Sequence, residues 1–417
     1  MSSLAADRMD SCVRFLGRRS AYWRLLTRGA VLLILTLGIY RFWLMTDVRR
    51  FLWANSEIAG ETLEYTGSPL ELLLGFLVAI AILVPVYAGF FLAALDLGAI
   101  GEWSGVIAFV ALGVLGQYAV YRARRYRLTR TIYRGLRFGQ SGSAWVYALR
   151  ASAWWIATIL TLGLAYPFQI ASLERYKLRH TFYGNLPGRF AGRGWRLLLR
   201  GMPMWLLAVG PLVLALMAFG AVDWVAVAGV LERGGDDVMA RLEGATPGFG
   251  KAIAFALLMV ALAGLMAALL YPIFQTMVLR WWCSGLRFGE FSIVSKLRIR
   301  DVYAAYVRFL WYGILFSLVL AAAALPLLLG LGLLQSKWPD STTGEILSVL
   351  AALGGYVVAA LGYSTIYRAT VLFSLWRLGM ESLQLSGVAV LDSVQAGGRA
   401  GSPLGEGLAD ALHVGGL

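Results

Sequence analysis

Leu35-Thr36-Leu37-Gly38 and Leu160-Thr161-Leu162-Gly163 read alike, each inside an apolar segment and each followed by an Arg-rich run. Offset by about 125 residues, the chain matches itself beyond them without a gap. Arg50 falls on Arg175, Phe51 on Tyr176, Tyr65 on Phe190, Gly67 on Gly192, and Leu72-Leu73-Leu74 on Leu197-Leu198-Leu199. This reads as an internal repeat, and it sets the frame for everything else in the chain.

Composition supplies the solvent. Of 417 residues, 59% are hydrophobic and only 14% charged, and mean hydropathy is +0.70. Soluble domains run at roughly 45–50% apolar and about 25% charged. Several apolar runs exceed the ~20 residues that cross ~30 Å of hydrocarbon. They are too long for a signal-peptide core, and Met1–Ser20 has no such core. The net charge of +14 is not read as a nucleic-acid footprint, because the Arg residues flank apolar spans, where they act as a topology signal. Cys12 and Cys283 lie far apart with no C-x-x-C, so neither a disulfide framework nor a zinc site is implied. His180 and His413 cannot build a histidine metal centre alone, and no cofactor is called for.

Charge decides the topology. The apolar segments lie near 22–45, 69–95, 103–121, 144–170, 201–230, 252–279, 302–334 and 345–376. If all crossed, with the N-terminus inside, Arg122–Arg137 would fall outside and the acidic turn Asp96–Glu102 inside, against the positive-inside rule. If the two Leu-Thr-Leu-Gly segments enter and leave on the cytoplasmic side, every Arg-rich run is inside. Only the connectors near 96–102, 231–250 and 335–344 are then outside. Arg beside an anionic leaflet is favoured by roughly 1 kcal/mol each. Arg150 agrees: mid-span it would cost about 2.5–3.5 kcal/mol, whereas at a cytoplasmic rim it can snorkel.

The expected fold is therefore an all-α polytopic membrane protein. Six crossing helices form three hairpins, two non-crossing elements re-enter or lie flat, and both termini are cytoplasmic. The repeats run 1–121 and 122–279 and are parallel; a third hairpin, 280–376, lacks the Leu-Thr-Leu-Gly element, and 377–417 is a tail. An aromatic–glycine pattern recurs at Phe15-Leu16-Gly17, Tyr65-Thr66-Gly67, Phe138-Gly139, Phe190-Ala191-Gly192 and Phe288-Gly289. Six spans place all five on one face, as short strands or turns that could pair beneath the membrane, with chance interfacial aromatics as the bland alternative.

Candidate functional residues are few. Gly38, Gly163 and Pro167 are break or hinge positions. Asp223 is the candidate embedded acid, with the interface as its bland alternative; Glu71 opens the second span and favours a helix N-terminus; Glu102 sits at a loop edge. Arg49, Arg50, Arg175 and Lys177 are candidate contacts for an anionic headgroup or a soluble anion, with topology anchoring as the alternative. His180 and Asn55 lie on polar ground with no nucleophile near in sequence. Gly397-Gly398 lacks the strand–loop–helix setting of a phosphate loop. There is no G-x-S-x-G, no H-E-x-x-H and no carboxylate pair at helical spacing inside a span, so an enzyme is not expected.

Thr36-Leu37-Gly38-Ile39-Tyr40, Trp43, Val48-Arg49-Arg50, Asn55 and Leu63–Leu70 resemble the YjgN-like bacterial inner-membrane proteins. Leu160–Phe168, Gly135–Gly139 and the tail Gly405–Leu412 fit the same family, so the resemblance covers most of the chain. Phe42 stands where the family usually has proline, and His413 where an acid is common. The resemblance implies a location in the inner membrane and brings no established activity. Members are often encoded near membrane metallopeptidases, which implies one as a partner. Two functions compete: passage of a small solute, ion or lipid through or along the bundle, and a scaffold or regulator holding such a peptidase. Membrane lipids are the partners under either, nucleic acid is not, and an oligomer is compatible with both.

Overall fold

The computed structural model describes residues 13–96, 98–233, 237–337, 342–395, 408, 411 and 412. The charges at 1–12 and most of the tail signature, with His413 and Gly397-Gly398, lie outside the described residues, as does the Glu102 side chain. Two compact units emerge. One comprises Met1–Trp154, Ser172–Gly192 and Leu279–Leu417; the other comprises Trp155–Ala171 and Arg193–Val278.

The first unit departs from an all-α fold, because it is built on β-structure. Its strands are β1 (Val13–Phe15), β2 (Ser56–Ile58), β3 (Glu61–Thr62), β4 (Glu64–Tyr65), β5 (Thr131–Tyr133), β6 (Leu136–Gln140), β7 (Thr181–Tyr183), β8 (Leu186–Phe190), β9 (Leu286–Phe288), β10 (Phe291–Ser295) and β11 (Leu383–Ser386). Strands β4 to β11 form one eight-stranded antiparallel sheet in chain order, and β1, β2 and β3 form a second. β1 also lies against β11, so the β-structure curls. Two of its hairpins turn in two residues with both in the left-handed region: Ala59 and Gly60 at φ 49° and 84°, Arg134 and Gly135 at 47° and 74°. Such turns match the right-handed twist of the flanking strands. Val13, Tyr133, Tyr183, Phe291 and Leu385 converge on the inside of the curl, with Val388 and Leu391 from the 3₁₀ turn Val388–Ser393.

Helices occupy the gaps between paired strands. They are α1 (Arg19–Leu35), α2 (Arg41–Ala54), α3 (Pro69–Asp96), α4 (Gly98–Thr129), α5 (Ala144–Leu160) and α6 (Tyr166–Arg179). There follow α7 (Gly194–Gly220), α8 (Trp224–Arg233), α9 (Val238–Ala245), α10 (Phe249–Gly285), α11 (Ile299–Lys337), α12 (Thr342–Tyr367) and α13 (Phe373–Glu381). A π turn, Arg368–Leu372, joins the last two. Each of five antiparallel pairs, β1–β2, β4–β5, β6–β7, β8–β9 and β10–β11, brackets one excursion of helix.

The same backbone bond shuts the base of each excursion. Leu16 N–H donates to the Asn55 carbonyl at 2.8 Å, Thr66 to Arg130 at 2.9 Å, Ser141 to His180 at 2.8 Å, Ala191 to Gly285 at 2.8 Å and Lys296 to Ser382 at 2.9 Å. Three of the aromatic–glycine pairs sit at this joint. A Cβ on Gly17, Gly67 or Gly192 would come within 2.6, 2.6 and 2.5 Å of the ring two residues before it. The aromatic ring folds back over bare backbone, which no other residue type leaves open. Phe138 and Phe288 instead stay within strands β6 and β9 and pack against the interior of the curl.

Six helices are long and apolar enough to cross a membrane: Pro69–Leu92, Trp103–Thr129, Gly194–Gly220, Phe249–Gly285, Ile299–Leu333 and Thr342–Glu381. Much of their apolar surface faces outward; Phe109 is 80% and Leu333 71% exposed. Such large exposed apolar area on a protein marks a surface that lipid covers. Ser68 caps α3 by accepting from Glu71 N–H at 3.2 Å, with Pro69 at the first helical position, where its missing N–H costs nothing.

The first apolar segment is not one helix. It breaks between α1 and α2 at the Leu-Thr-Leu-Gly turn, where Leu37 and Gly38 take φ 50° and 92°. Gly38 N–H reaches the Leu33 carbonyl at 2.8 Å and Leu37 N–H the Ile34 carbonyl at 3.2 Å, a left-handed helix stop. The Thr36 hydroxyl donates to the Leu32 carbonyl at 2.7 Å and accepts from Tyr40 N–H at 3.0 Å, tying the two helices across the turn. α1 and α2 pack on each other, and Tyr22, Leu26, Leu44 and Val48 make a buried core with Ala369 and Phe373. At 17 and 14 residues they span roughly 25 and 21 Å at ~1.5 Å per residue, short of ~30 Å of hydrocarbon.

The second unit holds the second such turn. Gly163 N–H reaches the Thr158 carbonyl at 2.7 Å and Leu162 N–H the Ile159 carbonyl at 3.0 Å, with φ 92° and 49°. The Thr161 hydroxyl donates to Ala157 at 2.8 Å and accepts from Ala165 N–H at 3.0 Å. The apolar run expected over 201–230 also breaks. α7 ends at Gly220 and α8 starts afresh at Trp224, behind a small core of Val222, Val227, Val230 and Leu242.

At Gly38 nothing lies within 4 Å of an added Cβ, so only the left-handed backbone opposes a side chain there. Gly38→Ala is expected to lower unfolding free energy by about 1–2 kcal/mol, measured by unfolding in detergent. Gly354→Ala, at an open helical position, should not lower it.

Candidate functional site: inward helix ends and an apolar cavity

The return helices share a register. Counting back from the first residue of β2, β5, β7, β9 and β11, the sixth residue is Arg every time: Arg50, Arg125, Arg175, Arg280 and Arg377. Three of them do one job. Arg50 donates to the Gly67 carbonyl at 3.0 Å, Arg125 to Gly142 at 2.6 Å and Arg280 to Leu297 at 2.5 Å, each 17 residues on. They tie the end of one helix to the entry of the next. Arg377 instead pairs with Glu381 at 2.9 Å, and Arg175 is exposed. Sequence reading found Arg50 over Arg175 but not the five-fold register, although the Arg-aromatic pairs Arg50-Phe51, Arg125-Tyr126, Arg175-Tyr176 and Arg280-Trp281 spell it out.

One residue earlier, the chain places Arg49, Arg124 and Glu174 at equivalent positions on α2, α4 and α6; three residues after Arg124 and Glu174 come Arg127 and Lys177. Arg49 is 1% exposed, and its Nη1 donates to the Tyr65 hydroxyl at 3.1 Å. Glu174 and Lys177 form a buried ion pair one helical turn apart. Burial works to raise the Glu174 carboxyl, but Lys177 and Arg124 hold it below the ordinary carboxylate value. Burial pushes the Lys177 ammonium down, against the pull of Glu174, and Arg124 pushes the same way as burial. A carboxyl held low contributes stability at neutral pH, lost as acid titrates through its folded-state pKa.

The four cations expected to receive an anion are thus not one surface. Arg49 and Lys177 have internal partners, Arg50 holds a carbonyl, and Arg175 alone of the four points to the outside. Asp223 is a helix cap: from an exposed position its Oδ1 accepts from Val225 and Ala226 N–H, both at 3.1 Å. This is the N-terminal role that short polar side chains fill. Glu71 is a structural bridge, accepting from the Tyr126 hydroxyl and from Arg130 Nη2, each at 2.6 Å. Asn55 donates to the Phe51 carbonyl at 2.7 Å, and His180 Nδ1 meets the Tyr176 carbonyl at 2.8 Å. Arg150 lies exposed over the Tyr176 ring, 5.1 Å from its centroid. Among the described residues, no three His, Cys, Asp or Glu side chains converge as a metal centre.

The second unit carries a cavity of about 340 Å³ beside its Leu-Thr-Leu-Gly turn. Gly163 and Pro167 line one wall, Gly201, Trp205 and Ala208 of α7 a second, Tyr271 and Phe274 of α10 a third. Pro167 stands in the first turn of α6, where it starts the helix rather than bending it. The Trp205 indole donates to the Leu162 carbonyl at 2.8 Å, satisfying backbone that the turn leaves open. The Thr158 hydroxyl is spent on Gln169 at 2.8 Å. What remains facing the cavity is almost wholly hydrocarbon and aromatic ring.

The family model for DUF898, a bacterial protein of unknown function, matches residues 10–411. The chain belongs to the DUF898 family. This is the uncharacterised bacterial family that its sequence resembles. No curated protein and no solved structure matches the chain. DUF898 membership thus covers both units, and the residues described above are those of one DUF898 member.

Removing one partner of the buried pair leaves the other charged and unpaired. Lys177→Met is expected to cost about 3–5 kcal/mol of unfolding free energy, read by denaturant unfolding in detergent. Arg175→Met, two positions away and exposed, should stay within about 0.5 kcal/mol.

Proposed function

We propose that this protein sits in the bacterial inner membrane and lets a lipid-like molecule move along its helical bundle. The cavity beside Gly163 supports this reading most. It is apolar, it adjoins a helix break, and it offers no set of polar groups to replace the water around an ion or a sugar. A hydrocarbon chain needs none. In this reading the two Leu-Thr-Leu-Gly elements are copies of one unit that enters the membrane from the cytoplasmic side and turns back. The exposed tip residues Leu37, Ile39, Leu160 and Leu162 support immersion of both turns. Irregular backbone there is tolerable because Thr36, Thr161 and Trp205 satisfy it.

In the same reading, six helices cross as three hairpins, the sheet is cytoplasmic and both termini are inside. Every crossing hairpin begins and ends within a few residues of a strand, which supports a single face for all their joined ends. The Arg-rich runs sit at those ends. Cysteine at exposed Arg137 on β6 should then be silent to an impermeant thiol reagent in intact cells. Cysteine at Val225, which is 85% exposed at the start of α8, should react; the reverse pattern would sink the topology.

Filling the cavity tests the function. Ala208→Trp is expected to cut crosslinking of a photoactivatable phospholipid to α7 and α10 by at least fivefold, with the fold intact by circular dichroism. If capture is unchanged, the scaffold reading takes its place, and stoichiometric co-purification of a membrane metallopeptidase is what that reading requires.

A further inference from the structure

The β-structure of the first unit encloses a space of its own. β3 and β4 belong to one run, Glu61–Tyr65, parted only by Leu63, so the two sheets share it. With β1 against β11, the strands close into a ring. Inside the ring lies a cavity of about 150 Å³. Tyr133, Phe138, Tyr183, Phe288 and Phe291 give it an aromatic wall, and the rest of the lining is aliphatic. Both tyrosine hydroxyls are spent on backbone. Tyr133 donates to the Ile58 carbonyl and Tyr183 to the Tyr133 carbonyl, each at 3.0 Å. Protein interiors are close-packed, with few voids larger than a water. A small barrel either fills with side chains or holds one small ligand.

Residues 387–395, which follow β11, form a strap across one end of this ring, held at the two-residue turns of three successive hairpins. At the β9–β10 turn, Gly387 takes φ 73°, and a Cβ added to it would come within 2.6 Å of the Glu290 carbonyl oxygen; Val390 lies beside Gly289. At the β7–β8 turn, Gln395 N–H donates to Asn185 Oδ1 at 3.2 Å. At the β5–β6 turn, Arg134 Nη1 meets Asp392 Oδ1 at 2.5 Å. The strap has two faces. Val388 and Leu391 are buried, and Leu391 reaches the cavity, whereas Asp392 and Ser393 are exposed.

We propose that the ring is a binding chamber for a small uncharged apolar molecule, about the size of one benzene ring, and that the strap 387–395 is its door. The lining offers no spare donor or acceptor to compensate a polar or charged ligand. Dry apolar cavities of roughly 150 Å³ take up benzene or xenon. Arg134–Asp392 and Asn185–Gln395 fasten the strap from outside the chamber, so it can open without re-pairing a strand. The chamber lies wholly in the first unit and does not rest on the lipid-passage reading.

The experiment uses the full chain in detergent, with fluorobenzene as the probe and fluorine NMR as the readout. A saturable bound resonance is expected, distinct from fluorobenzene dissolved in the micelle. It should persist in Ala208→Trp, which fills the other cavity. Leu391→Trp fills the chamber from the strap and Ile293→Phe from β10; each is expected to weaken binding at least tenfold. Asp392→Asn leaves the lining intact and should speed exchange of the bound probe at least threefold. The proposal is overturned if no bound resonance appears, if Ala208→Trp abolishes it, or if both filling variants fold and leave it unchanged. Exchange unaltered in Asp392→Asn removes the door. Should both filling variants fail to fold, magnetisation transfer from bound fluorobenzene to the Tyr133 and Tyr183 rings of the parent protein decides, and its absence overturns the chamber.

Discussion

Backbone hydrogen bonding at the foot of each helical excursion is the constraint on which this structure depends. A helix leaving the water layer must start and stop where its open N–H and C=O groups still find partners. Here one solution is used five times. A strand ends, the next N–H donates to the carbonyl just before the returning strand, and the two strands pair. Between Phe15 and Arg19, Tyr65 and Pro69, Gln140 and Ala144, Phe190 and Gly194, and Ser295 and Ile299 the chain has the same short joint. Arg50, Arg125 and Arg280 then fasten that joint from the neighbouring helix. Charge at these three helix ends thus serves packing.

The two kinds of excursion differ in what they ask of the solvent. The long ones present bare hydrocarbon along their length, as at Phe109 and Leu333. The short ones, α1–α2 and α5–α6, expose apolar residues chiefly near their turns and bury charge at their bases, as with Arg49 and the Glu174–Lys177 pair. Burying an ion pair brings little net stability, since desolvation offsets the Coulomb attraction. Its presence at the foot of only one short excursion is better understood as specifying charge at that place than as strengthening the fold.

Much of this was legible in the chain. Apolar length alone offered eight segments, and the placement of Arg reduced them to six, the number of helices long and apolar enough to cross a membrane; the two Leu-Thr-Leu-Gly stretches form turns with hydrogen bonds at matching positions. The aromatic–glycine pattern pointed to short strands or turns because six spans put all five copies on one face. The sheets themselves were less visible. Strands of two to five residues carry too little alternation to register as a period. Asp223, toward the outer end of its apolar segment, was left between an embedded acid and an interfacial residue; three-dimensional context makes it an exposed helix cap. The cavity was out of reach altogether. It is assembled by Gly201, Ala208 and Phe274 from helices far apart in the chain, and no local pattern marks it.

Because every joint has the same dimensions, the sheet behaves as a chassis with interchangeable sockets. The fourth socket already shows it: α8 and α9 are inserted between α7 and α10, yet Ala191 and Gly285 still meet at 2.8 Å. Family members could therefore lengthen, trim or swap an excursion without re-registering a single strand. Variation in this family should accumulate at the far tips of the helices, while the sockets stay fixed.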